Sequence, residues 1–350
     1  MPAGDVTVLI LHPEPGPAAG PLVLAVAAAR AALAERHVAG FRAAGATDVR
    51  VVAGPPDDTP FGARLRGLVR QLTPDGLVVL GSGAVPLTTA ADRLEFVRAA
   101  AQSPPGALVN NRYSADIVAI SRATEVLAEL PDLPTDNALP RWLAEAAGIT
   151  VDDLRGRWRL ALDIDGPLEL VLLGGRWAAV LDAPDRKVVV DAVTAVRAVA
   201  ADPRAELLVA GRTSVASLAW LERGVAARTR ALVEERGLRT SVAGQRPPAA
   251  VLGLLLDRDG PASLGRHLVR LADAAVIDTR VLLAHRLGPD ERAWPSAEDR
   301  FASDLLLPGQ IPDPWLRELT AAALDAPIPA LLGGHTLVGP GLRLALGSRT

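Results

Sequence analysis

Residues 160–170 read LALDIDGPLEL, and two carboxylates, Asp163 and Asp165, interrupt an otherwise apolar run. Side chains two apart on an extended strand share a face, so this spacing predicts that the two acids project together. Neighbouring carboxylates repel unless a cation or hydrogen-bond donors hold them. Oxygen ligands with open water positions suit Mg²⁺, which also binds substrate phosphates. Asp163 and Asp165 are therefore candidate catalytic and metal-ligating residues. A structural reading stands beside this one: the pair can cap the helix that starts at Gly166 and Pro167, or pair with Arg157 and Arg159.

Other polar clusters fall where apolar runs end. Asn110, Asn111 and Arg112 follow ALV, and an amide pair with a guanidinium can read a base or a phosphate. Asp136 and Asn137, in LPTDNALPRWL, precede a helical stretch; they can contact substrate, although N-capping is the simpler role. His12 ends the first apolar run, beside any ligand of an open sheet, where a loop hydrogen bond is the alternative. In the second half the runs end in GRTS (211–214), DRDG (257–260), DTR (278–280) and GGHT (333–336). Arg212, Thr213 and Ser214 stand between a glycine turn and a predicted helix, a setting that attracts anions. His335 joins them as an anion-binding candidate, whereas His267 and His285 read as surface residues. Each cluster also fits an ordinary loop between strand and helix.

These residues need elements to hold them. Strands are predicted at 6–12, 48–54 and 76–83, in ALVNN and ADIVAIS, and in RWRLALDID. Helices are predicted at 21–45, 60–72 and 88–102 and in NALPRWLAEAAG, the third with a threonine cap. A second series follows: a strand in AELLVAG, one or two helices in TSVASLAWLERGVAARTRALVEERG, a strand in AAVLGLLLD and a helix in SLGRHLVRLA. It continues with a strand in DAAVID, a helix in DPWLRELTAAALD and a strand in IPALLGG. Residues 176–204 hold a hairpin-like pair, RWAAVLD and RKVVVDAV, and 294–309 read as a loop and helix able to cover a site. This alternation predicts an α/β fold with a mainly parallel sheet, followed by a second α/β unit. A length of 350 residues favours two domains, expected at 1–175 and 176–350 and closely packed.

Composition narrows the functions. A net charge of −3 provides no basic field for nucleic acid. The absence of cysteine removes thiolate metal sites, disulfides and thiol nucleophiles. No signal peptide or membrane span is read, so a cytoplasmic protein without membrane partners is expected. Lys187 is the only lysine, which withdraws the usual phosphate-gripping side chain from the rest of the chain.

Three segments carry a resemblance: VVLGSGAVPLTTAADRLEFV, ALVNNRYSADIVAI and LALDIDGPLEL. With them, residues 1–175 resemble the GT-A-like nucleotidyltransferases, the group that includes the molybdenum-cofactor nucleotidyltransferases and the guanylyltransferases of deazaflavin-cofactor synthesis. The resemblance implies a sheet of that type, with Ser82 and Gly83 in the substrate turn and the Asn110–Arg112 segment lining the pocket. It makes Asp165 the better Mg²⁺ ligand, with Asp163 its neighbour. It also marks departures. The first loop, HPEPGPAAGPL, lacks lysine and arginine and is rich in proline, which has no N–H to donate. The family's metal-binding aspartate of the substrate turn falls at Ala84. The expected function is Mg²⁺-dependent transfer of a nucleotide to a phosphorylated small molecule. The alternative is a non-catalytic ligand-binding or regulatory module on a degenerate transferase fold. A third reading places an enzyme site in the C-terminal half, for which no family is recognised. The oligomeric state is not legible.

Overall fold

The aliphatic run VTVLILHP forms strand β1 (Val6–Pro13). The structure, a computed structural model, describes residues 5–55, 57–235 and 248–347. After β1 come α1 (Pro21–Ala43), β2 (Asp48–Gly54), α2 (Phe61–Leu72), β3 (Gly76–Gly81), α3 (Ala90–Ala100), β4 (Gly106–Val109) and β5 (Ile117–Ile120). Two short helices, α4 (Ala123–Val126) and α5 (Leu139–Glu145), lead to β6 (Thr150–Asp153). The strands form one sheet in the order β2-β1-β3-β5-β4-β6, in which β5 alone runs against the others.

Period-two alternation splits the strands between two apolar layers. Val6, Val8 and Ile10 of β1 face the layer that holds Phe41 of α1 and Phe96 of α3. Leu9 faces the opposite layer, with Leu65 and Val69 of α2. The same division places Val78 and Leu80 of β3 on one face and Leu77 and Val79 on the other. Helices thus cover both faces, as parallel neighbours require.

The second series starts with α6 (Pro167–Leu173), α7 (Gly175–Ala178), α8 (Ala183–Ala200), β7 (Glu206–Gly211), α9 (Val215–Gly224) and β8 (Arg228–Val233). It continues through α10 (Val251–Asp259), α11 (Leu264–Leu268), β9 (Ala274–Asp278), α12 (Thr279–Leu287), α13 (Ala297–Asp304) and α14 (Pro314–Leu324). It closes with β10 (Ala330–Gly333), α15 (His335–Val338) and α16 (Leu342–Leu346). Its four strands pair in parallel in the order β10-β9-β7-β8. The fold is therefore α/β, with a mixed, mostly parallel six-stranded sheet and a second parallel sheet of four. No helix among the described residues is long and apolar enough to cross a membrane.

The chain divides into two compact units, one of residues 1–18 and 27–164 and the other of residues 19–26 and 165–350. The division falls at 164/165 rather than after residue 175, because α6 packs with α7, α8, α13, α15 and α16.

Four predicted elements differ from those observed. The hairpin-like pair is instead α7 and α8, and the buried residues Val189, Val193, Val196 and Ala200 recur at helical spacing. AAVLGLLLD is helix α10, since a continuous apolar run has no period to separate strand from helix. The long stretch 213–237 folds as one helix, α9, and then strand β8; its residues 236 and 237 lie outside the described residues. RWRLALDID forms no strand: a 3₁₀ turn (Trp158–Ala161) precedes a single antiparallel bridge between Asp163 and Ala84. Val85 N–H donates to Leu162 O and Ile164 N–H to Gly83 O, so this segment clasps the turn after β3 instead of extending the sheet.

Close packing makes one glycine of α2 obligatory. The Gly62 N–H donates to Leu133 O at 2.9 Å. A Cβ at Gly62 would lie 2.5 Å from Leu133 N and closer still to the Pro131 carbonyl oxygen. Gly62→Ala is expected to lower stability by about 1–3 kcal/mol through overpacking, read as a lower urea midpoint at unchanged slope.

Candidate functional site

In the N-terminal unit the chain leaves β1 to build β2 on one edge and returns to build β3 on the other. Such a reversal opens a crevice at the carboxyl ends of the two inner strands. A cleft of about 260 Å³ occupies this place, floored by Leu11, Val79 and Val118 and flanked by Phe61. Its polar lining is Arg30, Ser82, Asp116, Asp136 and Asp163, with Gly83 between them. Ligand pockets typically measure roughly 300–1,000 Å³, so the cleft accommodates one moiety of a larger molecule. A wider groove of about 590 Å³ lies along α3, β4 and β6. Its Glu95 is committed to Arg157, and it lies away from the crevice between β1 and β3.

Each polar group of the cleft is held by identifiable neighbours. Ser82 is buried at the end of β3, with its Oγ 3.0 Å from His12 Nδ1. A Cβ at Gly83 would lie 2.9 Å from Asp163 Oδ1 and 3.1 Å from Arg30 Nε, so glycine is what lets these two charged side chains converge on the turn. Arg30 Nε donates to Ile164 O at 2.8 Å. The segment that carries Asp163 is anchored by Asp92, which is 1% exposed. Arg159 reaches Asp92 at 2.6 Å and Arg157 at 3.1 Å, and Arg157 also pairs with Glu95. Burial of Asp92 favours its neutral form, but the Thr89 hydrogen bonds and Arg159 outweigh it and hold the carboxyl below its ordinary value. Arg157 and Arg159 are therefore partners of Asp92 and Glu95, not of the DID aspartates.

The sequence candidates separate on this frame. Ser82, Gly83, Asp136 and Asp163 line the cleft. Asn110 sits behind it: its Nδ2 donates to Asp116 Oδ2 and to Leu160 O, both at 2.8 Å, and its Oδ1 accepts from the N–H groups of Asp116 and Ile117. Asn110 thus orients Asp116. Asn111 closes a turn by accepting from Tyr113 N–H, and Arg112 donates its backbone N–H to Asp153. Asp136 accepts from the Asn137 N–H, and Asn137 is an exposed residue of the same 3₁₀ turn. Sequence reasoning missed Arg30, Phe61 and Asp116. Arg30 is one arginine among many on a long helix, and no local signal marks it.

Asp165 belongs to the C-terminal unit, where its Oδ2 accepts from Thr336 Oγ1 at 3.2 Å. Beside it, Glu169 is buried and accepts the Gly166 N–H at 2.8 Å. Burial, with Asp165 and Asp304 adding repulsion, pushes the Glu169 carboxyl well above its ordinary value. Arg280 holds Asp304 through two contacts, Nη2 to Oδ2 at 2.7 Å and Nη1 to Oδ1. The four-stranded sheet repeats the reversal of direction, between β7 and β9. Here the crevice is bridged by Arg212 and Asp278, joined at 2.6 and 3.0 Å with side chains 15% and 0% exposed. Gly211, at φ 134°, lets Asp278 approach: a Cβ there would clash with it. Ser214 caps α9 by accepting from Ser217 N–H. Thr213 is buried and His335 is half-buried at the start of α15. Arg212 is thus spent inside the protein, and GRTS works as a cap and an ion-pair donor. The N–H groups of Leu22 and Val23 donate to the Glu298 carboxylate at 2.9 and 3.0 Å, so a carboxylate of the same chain occupies the N-terminus of α1.

The donors do not make a resident Mg²⁺ centre. Ala84, in the position of the expected aspartate, is 2% exposed and offers only its backbone. Among the described residues no group of three or more His, Cys, Asp or Glu side chains is placed to hold a metal.

No family model matches this chain, and no curated protein does. The solved structures similar to it include the following two. One, from Desulfovibrio desulfuricans G20, is named as a candidate nucleotide-diphospho-sugar transferase; it shares 15% identity, with a TM-score of 0.32 over 49% of this chain and 87% of its own. The other is the homologue, from Mycobacterium sp. strain JC1, of Mycobacterium tuberculosis Rv0371c; it shares 19% identity, with a TM-score of 0.30 over 50% of this chain and 96% of its own.

Two stability predictions follow from the C-terminal unit. Arg212→Ala leaves the buried Asp278 charge without its guanidinium and is expected to cost about 3–5 kcal/mol, measured by urea unfolding; an arginine serving only as a ligand contact would leave stability nearly unchanged. Glu169→Gln keeps the shape and the acceptor. Because the native Glu169 carboxyl titrates above 4.5, its ordinary value, stability falls as pH rises from there towards the native value. The variant should escape this loss, gaining on the parent by up to about 1.4 kcal/mol per pH unit. Parallel stability curves for the two proteins between pH 4.5 and 8 would contradict this.

Proposed function

We propose that this chain is a nucleotidyltransferase-like protein whose N-terminal unit receives a nucleotide, or another phosphorylated small molecule, in the cleft between β1 and β3. The observation that carries this reading is the position of the cleft. It lies at the carboxyl ends of the two strands where the sheet reverses direction, with an apolar floor for a flat or aliphatic moiety and convergent polar groups at its rim.

The charge balance of the rim defines the ligand further. Asp116, Asp136 and Asp163 face one guanidinium, that of Arg30. A bare polyphosphate is repelled by such a surface, whereas its Mg²⁺ complex brings compensating charge with it. The Mg²⁺ complex is then the substrate, and Asp163 is the carboxylate that addresses it. In a transfer reaction the remaining protein work is positioning: Asn110 fixes Asp116, and the Asp92 anchor fixes the segment of Asp163. Asp165 is assigned no part in this site.

The second reading, a binding module without transfer, is favoured by Ala84, by the proline-rich first loop and by the Glu298 carboxylate on the α1 N-terminus. Calorimetry with nucleoside triphosphates, with and without Mg²⁺, tests the site. Binding is expected to require Mg²⁺. Asp163→Asn should weaken binding about tenfold or more with Mg²⁺ present, yet relieve repulsion of the bare nucleotide. Unchanged affinity of Asp163→Asn in both conditions rules out the assignment. Pyrophosphate release then decides between the readings: the module binds and releases none.

A further inference from the structure

Arg93 lies on α3 and is 6% exposed, among the most buried charged side chains of the N-terminal unit. Its Nε and Nη2 are sealed from water and have no hydrogen-bond partner. Among the described residues it pairs with no carboxylate. The nearest acid in sequence, Asp92, is committed to Thr89, Arg157 and Arg159, and Glu95 is committed to Arg157.

The position is nonetheless built for this side chain. A Cβ at Gly40 would lie 2.6 Å from Arg93 Nε and 2.9 Å from its Cζ, so the glycine in α1 is a notch that admits the guanidinium. Glycine inside a helix is unfavourable relative to alanine, which makes the notch a cost that this contact must offset. The next residue, Phe41, presents its ring 6.0 Å from Cζ.

Helical spacing brings further polar groups to the same face. Arg36 and His37 precede Gly40 by four and three residues, so both lie one turn from the notch. Arg36 Nη1 donates to Pro86 O and contributes a second positive charge; burial first, and then this charge, lower the affinity of Arg93 for its proton and outweigh the opposing charge of Asp92. His37 is fully buried and its Nε2 lies 2.9 Å from Ala84 O; a carbonyl only accepts, so Nε2 carries the proton. Its Nδ1 is then an acceptor, also sealed and without a partner. Burial, with the charges of Arg93 and Arg36, lowers the His37 pKa to about 4 and keeps the ring neutral.

One face of α1 therefore gathers two positive charges, two unused donors and one unused acceptor. A water molecule can satisfy hydrogen bonds but not charge. We propose that the notch between α1 and α3, formed by Arg93, Arg36 and His37, is a binding site for a small oxyanion of the phosphate type. Such an ion accepts from the guanidinium groups, and in its monohydrogen form it can donate its remaining O–H to His37 Nδ1. This site is separate from the cleft and does not depend on the function proposed for it.

The test is thermal unfolding of the full-length protein, with inorganic phosphate titrated against chloride at constant ionic strength. Phosphate should raise the melting temperature saturably by several degrees, because it binds the native state alone. Arg93→Met removes the charge while filling the notch; it should abolish the phosphate response and melt no lower than the parent in chloride. Asp163→Asn, in the cleft, should keep the response. Indifference of the parent protein to phosphate overturns the proposal, and so does a response in Arg93→Met equal to that of the parent. If Arg93→Met does not fold, Arg36→Gln on the exposed edge decides: its response should need at least threefold more phosphate, and an unchanged titration overturns the site. A parallel titration with glycerol 2-phosphate distinguishes free phosphate from a phosphate monoester by which saturates at the lower concentration; failure of both overturns the site.

Discussion

Strand β1 pairs in parallel with β2 on one edge and with β3 on the other, and the N-terminal unit is built on that constraint. Parallel neighbours cannot be joined by hairpins, so each connection crosses over through a helix. Because the second crossover returns past the first strand, and crossovers keep one hand, α1 and α2 pack on opposite faces. The two apolar layers record this, one holding Phe41 and the other Leu65 and Val69. At the carboxyl ends the chain leaves in two directions, and the gap between those departures is the cleft.

The C-terminal unit has the same strand logic and a different outcome. Its reversal lies between β7 and β9, and there Arg212 and Asp278 bridge the crevice. The crevice beside β1 and β3 stays open as a cleft, whereas the one bridged by the largely buried Arg212–Asp278 ion pair is a structural joint. Equal topology therefore does not make the two units functionally equivalent, and the difference rests on two side chains and on Gly211, which permits their approach.

Charge is managed by burial as much as by pairing. Asp92 is nearly sealed yet ionised, because Thr89 and two arginines surround it, and through it α3 holds the segment that delivers Asp163. Glu169 is sealed among other acids, and burial with their repulsion pushes its carboxyl well above its ordinary value. Arg93 is nearly sealed and forms no direct ion pair among the described residues, with Asp92 acting on it only through its charge. These three residues have similar exposure and opposite electrostatic states, which only their neighbours determine.

The sequence alone determined the α/β class, most of the strands, the Thr89 cap of α3 and the presence of Ser82, Gly83 and Asp163 at strand or segment ends. Those features depend on local period and on residue type, which a single chain displays. It did not determine that AAVLGLLLD is a helix, since a uniform apolar run carries no period. Nor did it show that RWRLALDID yields one bridge residue instead of a strand, because that depends on the turn it meets, residues 83–85. The pairing of Arg212 with Asp278, the clamp of Asn110 on Asp116, and the placement of Arg30 in the cleft and of Arg93 over Gly40 were decided by tertiary structure. Each joins residues from 6 to 66 positions apart, or brings a helix onto another element, and only the folded chain sets such distances.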